Sequence, residues 1–390
     1  MTETMSVVLE LGRWGLVGGL AYVALWAATR PRQENTVWRE LGIRNAKGEY
    51  PHLLDKRTTG SGITYTFYIP DGVDMSKFKS DRGDGKAGKQ HAVVAQAFAG
   101  QRQCDIVPLG SNKMAIRVYE RHLGKQYEFD PELLPKRKLL EIPIGQSLRG
   151  VEHIHLGDSS AHIGIAGTTG SGKSTATRVI VTWLAAHREP CELHLVDLKG
   201  GVELGMYANC RKVNGFAKTE AEARAMIAAL VAEMGRRYDL LAAAGVNNIA
   251  DYPRKLRRVV LVVDEFADLS GSREITEHLV EIARKGRAAG VHMVIATQRP
   301  DAATIDGRLK ANIVTWLCFR VKLPVNSVVI LGHGGAESLR GAGHGILDRG
   351  DRETEIQGYI MPDDMIKRLI APTIIQKPKP EQADTSGVLQ

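Results

Sequence analysis

Short apolar runs and longer stretches of helical periodicity take turns along the second half of this chain, and the alternation predicts its architecture. AHIGIAG (161–167), ELHLVDL (192–198), RVVLVVDEF (258–266), GVHMVIATQRP (290–300) and NIVTWLCFRV (312–321) have strand length and strand character. RVVLVV carries no polar alternation, the signature of a strand buried on both faces of a parallel sheet. Between these runs, residues 174–186 read as one helix. A second, long helix opens at Thr219, where Thr219 and Glu222 have capping-box spacing. Its apolar face recurs at Ile227, Val231, Met234, Tyr238 and Leu241. Strands alternating with helices predict a mainly parallel, three-layer α/β core over 141–362.

The first part of the chain follows a different pattern. TYTFYIPDG (64–72) alternates like a strand and ends in a turn. Residues 86–100 read as a helix with a glycine stop, and DIVPLG followed by KMAIRVYE reads as a hairpin. That order predicts a small α+β domain over 61–135, preceded by a linker at 31–60. DPELLPKRK (130–138), with two prolines and a basic run, reads as the joint to the larger domain, EIPIG and HIHLG as strands flanking a turn, and residues 363–390 as a disordered tail. Upstream, WGLVGGLAYVALWAA (14–28) has no polar face. It spans about 22 Å as a helix against about 30 Å of hydrocarbon, and extension back to Met5 takes in Glu10 and Arg13. Residues 1–30 are read as a single membrane anchor. Arg30 and Arg32 follow the stretch while Glu3 and Glu10 precede it, which puts everything after Arg30 in the cytoplasm.

Composition sharpens this picture in two places. The formal net charge is +8, and residues 30–150 hold 21 Lys plus Arg against 14 Asp plus Glu. Most of the positive excess therefore lies upstream of the glycine-rich stretch at 167–174, where it suits a polyanion such as DNA or a membrane face. The four cysteines have no metal-ligand spacing, and Cys191 and Cys318 lie in apolar runs, so they read as reduced thiols.

The chemistry begins at GTTGSGKS, 167–174, which fits G-x-x-x-x-G-K-[ST] without a gap. It follows a strand and opens a helix, as phosphate binding requires. Gly167, Thr168, Thr169, Gly170, Ser171, Gly172, Lys173, Ser174 and Thr175 are the candidate ATP contacts. Lys173 is placed for the β- and γ-phosphates and Ser174 for Mg²⁺. Asp264, at the end of RVVLVV, is placed to hold Mg²⁺ through water, and Glu265 is the candidate general base. Gln298, at the tip of the next strand, is a candidate to sense the γ-phosphate or orient water.

These residues sit in a longer resemblance. AGTTGSGKS, MGRRYDLLAAAGVNNIADY, VDEFADL, KGRAAGVHMVIATQRP, LKANI and GGAESLRGAGHGIL, in that order, resemble the DNA translocases of the FtsK/SpoIIIE type over 141–360. The resemblance implies a RecA-like P-loop NTPase core, a homo-oligomer in the form of a hexameric ring, and ATP-driven movement along DNA threaded through it. Basic pore-loop residues would follow the DNA backbone without reading bases. LVDLKGGVELG stands where the division proteins have D-P-K and is similar to the variant in FtsK-like proteins of conjugative elements and plasmids. That similarity implies conjugative transfer, with a relaxase or other transfer proteins as partners. Segregation at division and secretion of protein substrates are the alternatives. One departure stands out: many members have an arginine in KANI-P-T-R-I that reaches a neighbouring subunit's nucleotide, and Trp316 occupies that position here. Arg320, Arg299, Arg287 and Arg308 are the candidate replacements.

Overall fold

The computed structural model describes residues 33–59, 62–73, 94, 97–99, 104–110, 112–119, 122–157 and 160–375. The chain divides into two units, Met1–His122 and Leu123–Gln390. The expected membrane anchor lies outside the described residues. Among the described residues no helix is long and apolar enough to cross a membrane.

The first unit is a four-stranded antiparallel sheet with helical segments. Helix α1 (Gln33–Glu40) is followed by β1 (His52–Thr59), β2 (Gly62–Tyr68), β3 (Cys104–Gly110) and β4 (Lys113–Tyr119), ordered β1-β2-β4-β3. The predicted hairpin is present as β3 and β4, with Ile106 opposite Ile116. Of the helix expected at 86–100, residues 94 and 97–99 are described and are helical. The stretch 31–60 is not a linker through its described part. Trp38 of α1 is fully buried, 5.1 Å from the Phe67 ring in an edge contact, and β1 pairs along β2. The sequence HLLDKRTT conceals this strand because β1 is an edge strand, where exposed polar side chains are tolerated.

The second unit starts before the expected domain joint. Strand β5 (Tyr127–Glu128) pairs with a late strand of the same unit, and the stretch Pro131–Lys136 is a 3₁₀ turn capped by Asp130. The boundary therefore falls at 122 rather than 135. Strands β6 (Glu141–Ser147) and β7 (Gly150–His155) form a hairpin. There follow β8 (His162–Ala166), helix α2 (Lys173–Ala186), β9 (Cys191–Val196), β10 (Val213–Ala217), helix α3 (Glu220–Ala243), β11 (Arg258–Val263), helix α4 (Arg273–Ala289), β12 (Val291–Thr297), helix α5 (Gly307–Asn312), β13 (Thr315–Phe319), helix α6 (Pro324–Leu331), β14 (His344–Asp348), β15 (Glu353–Ile360) and helix α7 (Asp363–Ile370).

The large sheet runs β10-β9-β11-β12-β8-β13-β14-β15-β6-β7. Its first six strands are parallel and the remaining pairings along this path are antiparallel. Alternation along β11 divides the core into two layers. Val260 and Val262 join α2 through Val179, Trp183 and Leu184, whereas Val259, Leu261 and Val263 join α3 and α4. The capping box at Thr219 forms as its spacing predicts. The tail expected from 363 is instead helical at its start: α7 buries Met365, Ile366 and Ile370 and carries Asp363 and Asp364 in its first turn. Eight residues hold too few periods for this amphipathic helix to stand out beside a polar tail.

Two buried histidines sit on neighbouring parallel strands at the edge where β8 and β12 begin. Burial pushes His162 down to about 3 and His292 to about 4. Both are neutral in the fold, while in the unfolded chain each titrates near 6.5. Below about pH 6.5 the unfolded state takes up protons that the native state refuses. Stability is therefore complete above that pH and falls by about 1.4 kcal/mol per pH unit per histidine until the folded values are reached. His333 runs the other way: burial lowers it, but the Glu353 carboxylate 2.6 Å away and the Gly334 carbonyl together raise it on balance, and it offsets part of the loss. Calorimetry between pH 7.5 and pH 5 is expected to show a falling Tm, and His292→Gln is expected to flatten the slope.

Candidate nucleotide site

The phosphate loop is a link between β8 and α2 that other strands hold in shape. Gly167 N donates to Thr297 O at 3.2 Å, and Thr168 N donates to Arg320 O at 3.0 Å. Behind the loop, Gly343 N donates to Ser171 O at 2.7 Å and Gly358 N to Gly343 O at 2.7 Å. The fit leaves no room for side chains at two loop glycines. A Cβ on Gly167 would lie 2.4 Å from Ser171 Oγ, and one on Gly172, at φ +122°, would lie 2.6 Å from Gly343 Cα. The loop opens onto a cavity of about 310 Å³. It is lined by Thr168–Gly170 and Gly172–Ala176 of the loop and the first turn of α2, and by Phe319, Ala342, Tyr359 and Ile360 among others.

Lys173 and Asp264 are each 2% exposed and paired. Lys173 Nζ donates to Asp264 O at 2.8 Å and to Asp264 Oδ1 at 3.2 Å. Asp264 Oδ2 is buried and has no hydrogen-bond partner, as is Ser171 Oγ. A buried carboxylate oxygen without a donor is costly unless a cation or ordered water meets it. Asp264 therefore fits the Mg²⁺ ligand role read from the sequence, with Ser174 in the first turn of α2 as the second candidate ligand.

Glu265 is buried and tightly held. Its Oε1 accepts from Thr297 Oγ1 at 2.9 Å and from Gln298 N at 3.0 Å. Its Oε2 accepts from Gln298 N at 3.1 Å and faces Lys199 Nζ at 3.7 Å. Gln298 turns its side-chain oxygen to the phosphate loop, accepting from Thr169 Oγ1 at 2.9 Å. The structure thus joins Thr169, Gln298 and Glu265 in one polar chain, with Lys173 and Asp264 as a second pair beside them. Gly170 and Thr175, the remaining loop candidates, also line the cavity.

Sequence reasoning missed several participants. Thr297 orients Glu265. Ala342 and Gly343 wall the cavity, and the glycine density of RGAGHG was the available signal for such a turn. Lys199 and Glu203 come from LVDLKGGVELG, whose fold depends on one buried acid. Asp197 is 1% exposed and accepts from Lys199 N at 3.1 Å, Glu203 N at 2.9 Å and Leu204 N at 3.0 Å. Glu203 reaches the cavity wall.

Trp316 and the candidate replacement arginines have distinct fates. Trp316 is buried on β13, its indole N–H donating to Ile313 O at 2.9 Å. Its ring lies over Gly164, where a Cβ would be 2.2 Å from Trp316 Cε3. Arg308 is forked onto Glu277 and Asp306, and Arg287 donates to Gly157 O at 3.2 Å. Arg299 and Arg320 are exposed.

Comparison with known proteins finds relatives in both sequence and fold. The FtsK/SpoIIIE family model matches residues 132–260 and 252–302. The DNA translocase FtsK of Lactococcus lactis subsp. cremoris (strain MG1363) is 34% identical over 270 residues, covering 64% of this chain and 35% of the relative. The DNA translocase FtsK of Oceanobacillus iheyensis is 32% identical over 343 residues, 81% of this chain and 43% of the relative. The chain thus spans about a third to two fifths of the length of these relatives. Among solved structures, the pCW3 conjugation coupling protein TcpA with ATPγS matches with TM-score 0.60 at 24% identity, covering 87% of this chain and 98% of that one. The cytoplasmic domain of the Thermomonospora curvata type VII secretion ATPase EccC matches with TM-score 0.56 at 27% identity, covering 66% of this chain and 34% of that one. These matches fix the fold as that of a P-loop NTPase, and residues 132–302 are similar to the FtsK/SpoIIIE family.

Proposed function

We propose that this protein is an ATP hydrolase that moves DNA, working as a hexameric ring held at the membrane by residues 14–28 and serving conjugative transfer. The observation that carries the hydrolytic part is the pairing of a complete phosphate loop with a buried carboxylate, Glu265, fixed beside it by Thr297 and Gln298. A loop that only bound nucleotide would not need a second buried acid tied to the strand carrying its polar tip.

The division of labour follows from the geometry. Loop backbone N–H groups that do not hold the loop's own shape, those of Thr169, Gly170 and Gly172, and the Lys173 ammonium grip the phosphates. Mg²⁺, held by Ser174 and Asp264, neutralises charge on the β- and γ-phosphates when bound. Glu265 takes the proton of the attacking water through Oε2, the oxygen that receives no bond from the Thr297 hydroxyl, while Gln298 positions that water. Phe319, Ala342, Tyr359 and Ile360, which line the same cavity as the phosphate loop, offer the adenine ring an apolar berth.

DNA as cargo is supported by the family and by the FtsK relatives, which are DNA translocases. Conjugative transfer is supported by the LKGG variant and by a fold shared with a coupling protein along nearly its whole length. A protein cargo is the second reading, favoured by the likeness to EccC. ATP turnover measured with linear duplex DNA and with signal-sequence peptides separates the two. Stimulation by duplex but not peptide, together with displacement of a triplex strand, is the expected result. Stimulation by peptide alone would overturn the DNA reading.

A further inference from the structure

We infer that Lys199 is the cation that this motor brings to the γ-phosphate from within its own chain, and that Glu265 holds it in place. The inference rests on the hydrolytic reading above and adds to it a residue in the LVDLKGGVELG loop for which that reading has no use.

The loop is built to present this one side chain. Asp197, buried at the end of β9, gathers three backbone N–H groups from residues 199, 203 and 204. Gly200 and Gly201 take φ +73° and +80°, left-handed values that let the chain reverse directly after Lys199. The backbone at Lys199 is therefore anchored through its own N–H, while its side chain stays 43% exposed. Glu203, four residues on in the same loop, already lines the nucleotide cavity. The end of the Lys199 side chain lies 3.7 Å from Glu265 Oε2. From Glu265 the contacts run to Gln298 and on to Thr169 in the phosphate loop. Lys199 is thus the outer member of a polar chain whose inner member belongs to the phosphate grip.

Among the other cations, Arg308 is forked onto two carboxylates and Arg287 donates to Gly157 O, while Lys173, paired with Asp264, serves the phosphates from the loop side; Arg299 and Arg320 are exposed, and Lys199 is the one that faces Glu265. An ammonium on a flexible four-carbon stem can exchange one oxygen anion for another. A triphosphate in the cavity presents more negative charge than Glu265 does, so the ammonium is drawn toward the γ-phosphate. The exchange has two consequences. Positive charge arrives where negative charge builds during phosphoryl transfer, and Oε2 of Glu265 loses its counter-ion and is available to the attacking water.

The test compares Lys199→Ala and Lys199→Arg with the full-length protein, by equilibrium binding of Mg–ATPγS and of Mg–ADP and by steady-state hydrolysis. Lys199→Ala is expected to weaken ATPγS about tenfold while leaving ADP within about twofold, and to lower kcat by about 10- to 100-fold. Lys199→Arg is expected to restore the preference for the triphosphate. Equal loss of ADP and ATPγS would mark Lys199 as merely structural and overturn the inference, as would a wild-type ATPγS preference and kcat in Lys199→Ala. Wild-type protein that binds ATPγS yet hydrolyses no ATP would sink the hydrolytic reading, and the affinity arm would still decide the role of Lys199.

Discussion

Glu265→Gln is expected to lower kcat for ATP hydrolysis by about 10²- to 10⁴-fold while Mg–ATPγS affinity stays within about twofold of wild type. The substitution keeps the shape of the side chain. Its amide oxygen still accepts from Thr297 Oγ1 and Gln298 N, the contacts that fix Glu265 Oε1, so the strand tips and the phosphate loop keep their positions. What disappears is the capacity of the second oxygen to take a proton from water. Binding depends on Lys173, on the loop N–H groups and on Lys199, and the Lys199 ammonium can still turn to the γ-phosphate when its partner at 265 is a neutral amide. Lys173→Ala should differ in kind, because it removes the phosphate contact and leaves Asp264 buried without its partner. Steady-state turnover and equilibrium binding on the two variants separate the roles. A Glu265→Gln enzyme turning over within about fivefold of wild type would remove Glu265 as the base, since general-base contributions are larger than that.

The parts of this molecule that could be read from the sequence are those whose signal is local. RVVLVV followed by two acids states its own burial, direction and chemistry, because a doubly covered parallel strand admits no polar alternation and ends where ligands bind. Thr219 and Glu222 fix a helix start by two short-range hydrogen bonds. GTTGSGKS requires glycines wherever backbone must approach phosphate. Structure that depends on distant partners was hidden. HLLDKRTT becomes β1 only because β2 offers an edge. DDMIKRLI becomes α7 because the layer around α2 accepts Ile366 and Ile370. The turn at Gly343 contacts the phosphate loop across 171 positions of sequence, 343 against 172, and no local pattern records such a contact. Lys199 was visible as a residue but not as a neighbour of Glu265, since that proximity is made by Asp197 folding its loop back.

Trp316→Arg, which restores the residue many relatives carry, is expected to destabilise the protein by at least about 3 kcal/mol, lowering Tm by about 10 °C, without raising ATP turnover. The ring of Trp316 rests on Gly164, the residue paired with it across β8 and β13. Its indole N–H is satisfied by Ile313 O and its apolar surface is enclosed in the layer shared with α3 and α4. An arginine there would bury a guanidinium in an apolar layer, where the Ile313 carbonyl that the indole now uses would face five N–H donors. The glycine opposite is the other half of the fit: Gly164 leaves space that only a broad flat side chain fills, so the pair behaves as one packing unit. Trp316→Phe should therefore cost less than the arginine variant, losing the hydrogen bond and part of the ring. If Trp316→Arg instead kept its Tm and hydrolysed ATP faster, the side chain at 316 would be free to leave the core, and a cation supplied by a neighbouring chain at that position would replace Lys199 as the charge brought to the γ-phosphate.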